Sequence, residues 1–361
     1  TAYRRQRQMC IRDSTLTAPQ AIIQGLAQDG GLYVPVAFPQ ANFKLEDLSK
    51  LSYKQIAAMV ISLFFDDFTK EQITTAVQSA YSEQWDDRSI VPIEKHDNHF
   101  YMELFHGPTL AFKDIALQML PQLMTRAVQI EKIDKDIIIL TATSGDTGTA
   151  SMRGFANQKG TDVIVFYPEG GVSPVQLKQM LSQRGNNLRA IAIKGNFDDA
   201  QTEVKKIFNN DSFKNRLNAN GYQFSSANSM NIGRLVPQIS YYLYTYGQLV
   251  RRQEIKLGDE VNFAVPTGNF GDILAGYYAK KLGLPIKKLI CASNENNVLT
   301  DFFNNGVYDK RRKFHLTNAP AMDILVSSNL ERLLFDLYGE NNYEVASLMN
   351  QLTQRGHYQV S

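Results

Sequence analysis

Two kinds of hydrophobic spacing divide the chain. From residue 15 to about 90, apolar residues recur three and four apart, the period of amphipathic helices. TAPQAIIQGLAQDGGLYVP carries a proline near a helix start and a Gly-Gly stop, and LEDLSKLSYKQIAAMVISLFF and TKEQITTAVQSAYSEQW continue the period. From about residue 136, short apolar runs alternate with small-residue loops and helical stretches. The runs are DIIILTA, DVIVFYP, LRAIAIKG, VNFAVPTG and KKLICASN. Apolar strands alternating with helices predict an α/β fold whose parallel sheets are covered on both faces. The closing MNQLTQRGHYQVS reads as a helix, a glycine stop and the opening of a strand, so the chain is expected to stop within an element.

Bulk properties narrow the partners more than the fold. At 361 residues the chain exceeds the usual single core, so two packed units are expected. A net charge of +2 makes no general case for nucleic acid or a membrane surface, and no stretch approaches eighteen apolar residues. Cys10 and Cys291 are too few for a disulfide framework and suit a reducing cytoplasm. The opening TAYRRQRQMCIRDS begins with Thr and carries four arginines against one acid. It is short for a transit peptide and lacks an amphipathic period, so residues 1–14 are set aside as a non-homologous leader from a damaged gene end. The charged stretch DKRRKF at 309–314 reads as a solvated loop.

Candidate chemistry starts at ELFHGPTLAFKDIALQ, residues 103–118. A helix beginning near Leu110 would align Asp114, Gln118 and Gln122 as a polar, solvent-side stripe. Lys113 would lie about 100° away, with Leu117, Leu120 and Met124. A lone helical lysine is ordinarily a snorkelling surface residue, and lysines are almost never fully buried without a reason. Here three other segments bear on the choice. SGDTGTA (144–150) and TGNFGD (267–272) each follow an apolar run and open a helix, where glycine admits a close ligand and free amides favour an anion. Neither fits GxxxxGK[ST] or GxGxxG, which disfavours a Walker or dinucleotide site. FSSANSMNIGRL (224–235) is dense in hydroxyls and amides and ends in Arg234, a fork for phosphate or carboxylate. Each segment alone is equally a tight turn or a polar loop. A lysine kept from water has a lowered pKa and can attack an aldehyde. Beside a phosphate-cradling loop it suggests pyridoxal phosphate, with the phosphate at TGNFGD and the aldehyde carbon on Lys113. His96, His99 and His106 are not expected to bind metal, and His106 is expected to shape its turn.

In order, LFHGPTLAFKD, TATSGDTG, YPEGGVSPVQ, SANSMNIGRL and PTGNFGDILAG resemble the threonine synthase family, and GLAQDGGLYVP resembles its N-terminal domain. The resemblance runs from about residue 15 to the end. It implies pyridoxal-phosphate fold type II, like the tryptophan synthase β subunit: a small helical N-terminal domain (15–90) and a catalytic domain (91–361) of two parallel-sheet α/β units. It implies that Lys113 is the Schiff-base lysine and general base, and that Gly268, Asn269, Phe270 and Gly271 cradle the cofactor phosphate. Ser144, Asp146 and Thr147 would bind the substrate carboxylate and the cofactor's phenolic edge. Ser226, Asn228, Asn231 and Arg234 would face the substrate phosphate. The family hydrolyses O-phospho-L-homoserine to L-threonine and phosphate: Lys113 would remove the α and β protons, phosphate would leave Cγ, and water would add at Cβ. A phosphohomoserine phospholyase, another β-elimination enzyme, or a cofactor-binding fragment without turnover are the alternatives. The family continues past this chain's end, supplying a hydroxyl near the pyridine nitrogen. Lys113 is expected to be balanced by the cofactor's phenolate rather than by a protein carboxylate, so that its removal costs little stability. A monomer or homodimer is expected.

Overall fold

The computed structural model describes residues 3–5, 15–27, 30–195 and 197–360. The first three α-helices, Ala18–Gln24, Tyr53–Phe64 and Lys70–Ala80, start in the same way. Thr17, Ser52 and Thr69 each cap a backbone N–H three residues on, while Gln20, Gln55 and Gln72 reach back to the capping residue's own N–H. Two orphan donors are satisfied at each helix start, a local signal strong enough to place it. The apolar faces of these helices do not close on themselves. Ile22, Ile56, Val60, Ile61 and Phe64 join a core that continues through the helices Asp114–Ile130 and Ile232–Arg251 to Tyr358. The Ile232–Arg251 helix is buried on nearly every side, with Tyr241, Tyr242 and Tyr246 fully enclosed, and forms the axis of the molecule.

All five apolar runs are strands, in two parallel sheets. Leu188–Ile193, Thr161–Pro168, Asp136–Ala142 and Tyr222–Ser226 lie side by side in that order, and Val261–Pro266 pairs with Ile286–Ala292. Tyr222–Ser226 was expected only as the start of a polar loop. Its YQFSS has no apolar run, because the strand ends in two buried hydroxyl residues, Ser225 and Ser226. Its place decides where the cleft lies. From Asp136–Ala142 the chain steps outward twice, then returns to the opposite side of the same strand. The loops leaving Asp136–Ala142 and Tyr222–Ser226 therefore diverge and open a crevice at their C-terminal ends. Among the described strands, antiparallel pairing is confined to small ribbons: Tyr3–Arg5 with Tyr33–Pro35, Ile93–His96 with His99–Met102, and Val307–Asp309 with His357–Gln359. The last of these follows the Asn342–Arg355 helix and its left-handed cap at Gly356, the helix, stop and strand read from the sequence. Beyond the short Tyr3–Arg5 strand, the segment set aside as a leader lies outside the described residues.

The Asp146–Phe155 helix lies against Asp114–Ile130 at a distance that Gly154 sets. A Cβ there would collide with the Leu117 carbonyl oxygen, backbone that cannot step aside. Alanine is the better helix former by about 1 kcal/mol, yet Gly154→Ala is expected to destabilise the protein by about 1–3 kcal/mol through overpacking. Denaturant titration checks this; a stabilised variant would contradict the close approach.

Candidate active site

Lys113 comes first. The helix begins at Asp114 rather than near Leu110, and Lys113 is the residue that precedes it, with φ −65° and ψ −21°. Leu117, Leu120 and Met124 are fully buried, as expected of the apolar face. The polar stripe is not on the solvent side, however. Asp114 is fully buried and Gln118 nearly so. Asp114 accepts from the Thr109 N–H and Oγ1, both at 2.8 Å, and so ties the Gly-Pro-Thr turn to the helix start. His106 braces the same turn from outside, between Asp86 at 2.6 Å and Glu103 at 2.9 Å. Burial draws the His106 ring down, but the hydrogen bonds and charges of Glu103 and Asp86 together hold it above its ordinary value.

A protein carboxylate does balance Lys113, which corrects the expectation of a phenolate partner alone. Lys113 Nζ donates to Asp146 Oδ1 at 2.7 Å, and only 11% and 10% of the two side chains are exposed. Asp146 opens its helix, where the dipole favours an anion, and Oδ1 also accepts from the Thr147 N–H at 2.7 Å. The turn before it needs glycine: Gly145 has φ +142°, and any Cβ there would strike Gln176. Burial pushes the Lys113 amine below its ordinary value, Asp146 opposes this, and Arg234 adds to it. Burial alone would raise Asp146, but Lys113 holds it below the carboxylate range.

Across the cleft from Lys113 lies the loop Gly268–Gly271, which leads into the Gly271–Lys281 helix. Phe270 has φ +64°, uncommon for a bulky side chain and a form of strain that gathers at functional sites. Among the described residues, the N–H groups of Asn269, Phe270 and Gly271 are paired with no backbone acceptor. They border a cleft, open to solvent, which Lys113, Thr147, Asn228 and Arg234 also line. Arg234 is buried. Its Nη1 donates to the Ala227 carbonyl at 2.8 Å, and its Nε has no partner among the described residues. Burial pushes its pKa down to about 10, so it is charged at neutral pH.

Other expected residues stand elsewhere. Asn231 is fully buried and spends its amide on the Ile22 and Ser226 carbonyls and on capping Gly233 N–H. Ser226 is buried and accepts from Asn228 N–H. Neither lines the cleft, and their side chains are already engaged: in a segment this polar, the fold itself consumes part of the hydrogen-bonding capacity. Ser144 lies beside the cleft, its Oγ 3.5 Å from the Pro320 carbonyl. Sequence reasoning missed Ser229, Gln238, Ala321 and Met322, which do line it. Gln238 had a signal, since it sits one helical turn past Arg234 on the same face, where its Nε2 donates to the Arg234 carbonyl at 3.0 Å. Ala321 and Met322 had none.

Pyridoxal phosphate fits these residues. Unpaired amides at a helix start and the Asn269 Oδ1, buried without a partner among the described residues, suit a polar group. A desolvated amine shares their cleft. A cleft of this kind between two parallel-sheet units defines the class, the pyridoxal-phosphate-dependent enzymes of fold type II. Residues 4–81 match the family model "Threonine synthase N terminus", a match that begins within the stretch set aside as a leader, and residues 92–352 match "Pyridoxal-phosphate dependent enzyme". A threonine synthase of Saccharomyces cerevisiae is 38% identical over 96% of this chain and 70% of its own length. The human protein named threonine synthase-like 1 is 40% identical over 94% of this chain and 47% of its own. The crystal structure of pyridoxal-phosphate-bound threonine synthase from Brucella melitensis superposes with a TM-score of 0.87 at 39% identity, covering 100% of this chain and 75% of that one. The chain belongs to the threonine synthase family. It spans about half the length of the threonine synthase-like 1 relatives.

Proposed function

We propose that the protein converts O-phospho-L-homoserine and water to L-threonine and phosphate. The observation that carries this reading is the pairing, in one cleft, of a desolvated lysine with two separate anion positions: the free amides of 269–271 and the unpartnered Arg234 Nε. A phosphorylated cofactor and a phosphorylated substrate need two such positions. Pyridoxal phosphate, when bound, supplies an electron sink that acidifies the carbons next to the substrate amine.

Lys113 would hold the cofactor through Nζ, and the same Nζ would carry the substrate's α and β protons one at a time, returning one to Cγ after phosphate has left and one to Cα after water has added at Cβ. Burial lowers the basicity of this amine relative to an exposed lysine, and so favours the neutral form that accepts a proton. Asp146, 2.7 Å away, steadies the ammonium that each proton transfer creates. Arg234 and Asn228 hold the substrate phosphate through its departure from Cγ, and Thr147 with Ser144 takes the carboxylate. We place the boundary between the N-terminal unit and the catalytic unit near residue 90.

A second reading on the same scaffold is elimination of phosphate followed by release of 2-oxobutanoate and ammonia, with no water added at Cβ. Product analysis separates the two. Protein loaded with pyridoxal phosphate and given O-phospho-L-homoserine is expected to release phosphate and threonine in equal amounts. Phosphate with 2-oxobutanoate would support the second reading, and no phosphate at all would contradict both.

A further inference from the structure

The free amides of the Gly268–Gly271 loop are held in place from behind. Ser327 Oγ donates to the Gly268 carbonyl at 2.6 Å. The backbone N–H of Asn329 donates to the Asn269 carbonyl at 3.0 Å, and its Nδ2 donates to the same oxygen at 3.1 Å. No peptide bond among the described residues is cis. In a planar trans peptide the N–H points opposite to the preceding C=O. Carbonyls drawn toward Ser327 and Asn329 therefore turn the N–H groups of Asn269 and Phe270 the other way. Neither Ser327 nor Asn329 lines the cleft, and Gly268 to Asp272 all do, so that other way is the cleft.

Asn329 is itself fixed. It is fully buried, and its Oδ1 accepts from Arg332 Nη1, so only its NH₂ is available to Asn269. Arg332, also buried, donates through Nε to the Tyr33 carbonyl at 3.0 Å and through Nη2 to the Met230 carbonyl at 2.7 Å. One side chain thus anchors the N-terminal segment, the polar loop after Tyr222–Ser226 and the support of the amide loop.

We propose that Ser327 and Asn329 are positioning residues of the cofactor site, which aim the Asn269 and Phe270 amides at the cofactor's phosphate. The proposal rests on reading that loop as the phosphate cradle. It makes the affinity for a phosphorylated ligand depend on residues that touch no ligand, and it leaves the affinity for the unphosphorylated ring alone.

The test compares pyridoxal phosphate with pyridoxal, which lacks the phosphate, by equilibrium titration of the apoprotein and of the variants Ser327→Ala, Asn329→Ala and Asn329→Asp. Asn329→Asp keeps the shape and the Arg332 contact while losing the donor, and Ser327→Ala removes one hydroxyl. Either therefore serves if Asn329→Ala does not fold, as judged by circular dichroism and thermal melting. Each variant is expected to bind pyridoxal phosphate about tenfold more weakly and pyridoxal as the parent does. Equal weakening toward both ligands would mean a merely structural role and would overturn the proposal, as would unchanged affinity for both. A parent protein that binds pyridoxal phosphate no more tightly than pyridoxal would instead overturn the reading of the loop as a phosphate cradle.

Discussion

Lys113→Ala is expected to abolish turnover and covalent retention of pyridoxal phosphate, and to destabilise the protein by about 3–5 kcal/mol. The chemical part follows from position, since Lys113 is the one lysine among the described residues that line the cleft. The stability part reverses what the sequence alone implied. An amine on an apolar face, with no buried counter-charge, could be removed at little cost. The structure instead pairs it with Asp146 at 2.7 Å, both side chains nearly enclosed. Removing one member leaves a buried carboxylate unpaired, and the desolvation of that charge is no longer offset. Lys113→Ala combined with Asp146→Asn should therefore recover much of the lost stability while remaining unable to hold the cofactor. Denaturant titration of the apoproteins measures this. A single variant as stable as the parent would show that the pair contributes nothing to the fold.

Arg234→Ala is expected to weaken O-phospho-L-homoserine by about 2–5 kcal/mol, the cost of truncating one half of a desolvated charge-assisted pair. The cofactor should stay in place, because its phosphate position is assigned to the amides of 269–271 on a different element. The burial of Arg234 sharpens the expectation, since in a site with little water the unpartnered Nε has few other acceptors to turn to. Arg234→Lys should recover only part of the loss, because an ammonium cannot reproduce the planar fork. Titration with O-phospho-L-homoserine and with homoserine separates the effects, and the loss should fall on the phosphorylated ligand alone. Unchanged affinity would remove Arg234 from the substrate site.

Sequence reasoning reached Lys113 by a route that was half mistaken. The lysine was conspicuous for being off a polar stripe, and its apolar neighbours are indeed core. But that stripe is itself inside, because Asp114 spends its carboxylate on Thr109 and so needs no solvent. Periodicity reports which residues share a face; it does not report whether a polar face meets water or the backbone of a turn. The same limit explains Asn231 and Ser226, whose hydrogen bonds close the fold rather than the cleft. The five apolar strands and the three N-terminal helices were legible because their signals are local, although the first helix stops at Gly25, with φ +67°, ahead of the Gly30-Gly31 pair expected to end it. Tyr222–Ser226 was not, since a central strand that ends in buried hydroxyls carries no apolar run. Ser327, Asn329 and Arg332 were invisible for another reason: their partners at Gly268, Asn269, Met230 and Tyr33 are distant in sequence, and no spacing rule connects them.

The central claim is that the buried amine of Lys113 is the group that bonds the cofactor. Borohydride reduction of the protein loaded with pyridoxal phosphate, followed by proteolysis and peptide mapping, tests it directly. The expected result is a single pyridoxyl-modified peptide carrying the label on Lys113. A label on any other lysine, or none after reduction of protein that has bound the cofactor, would contradict this account of the site.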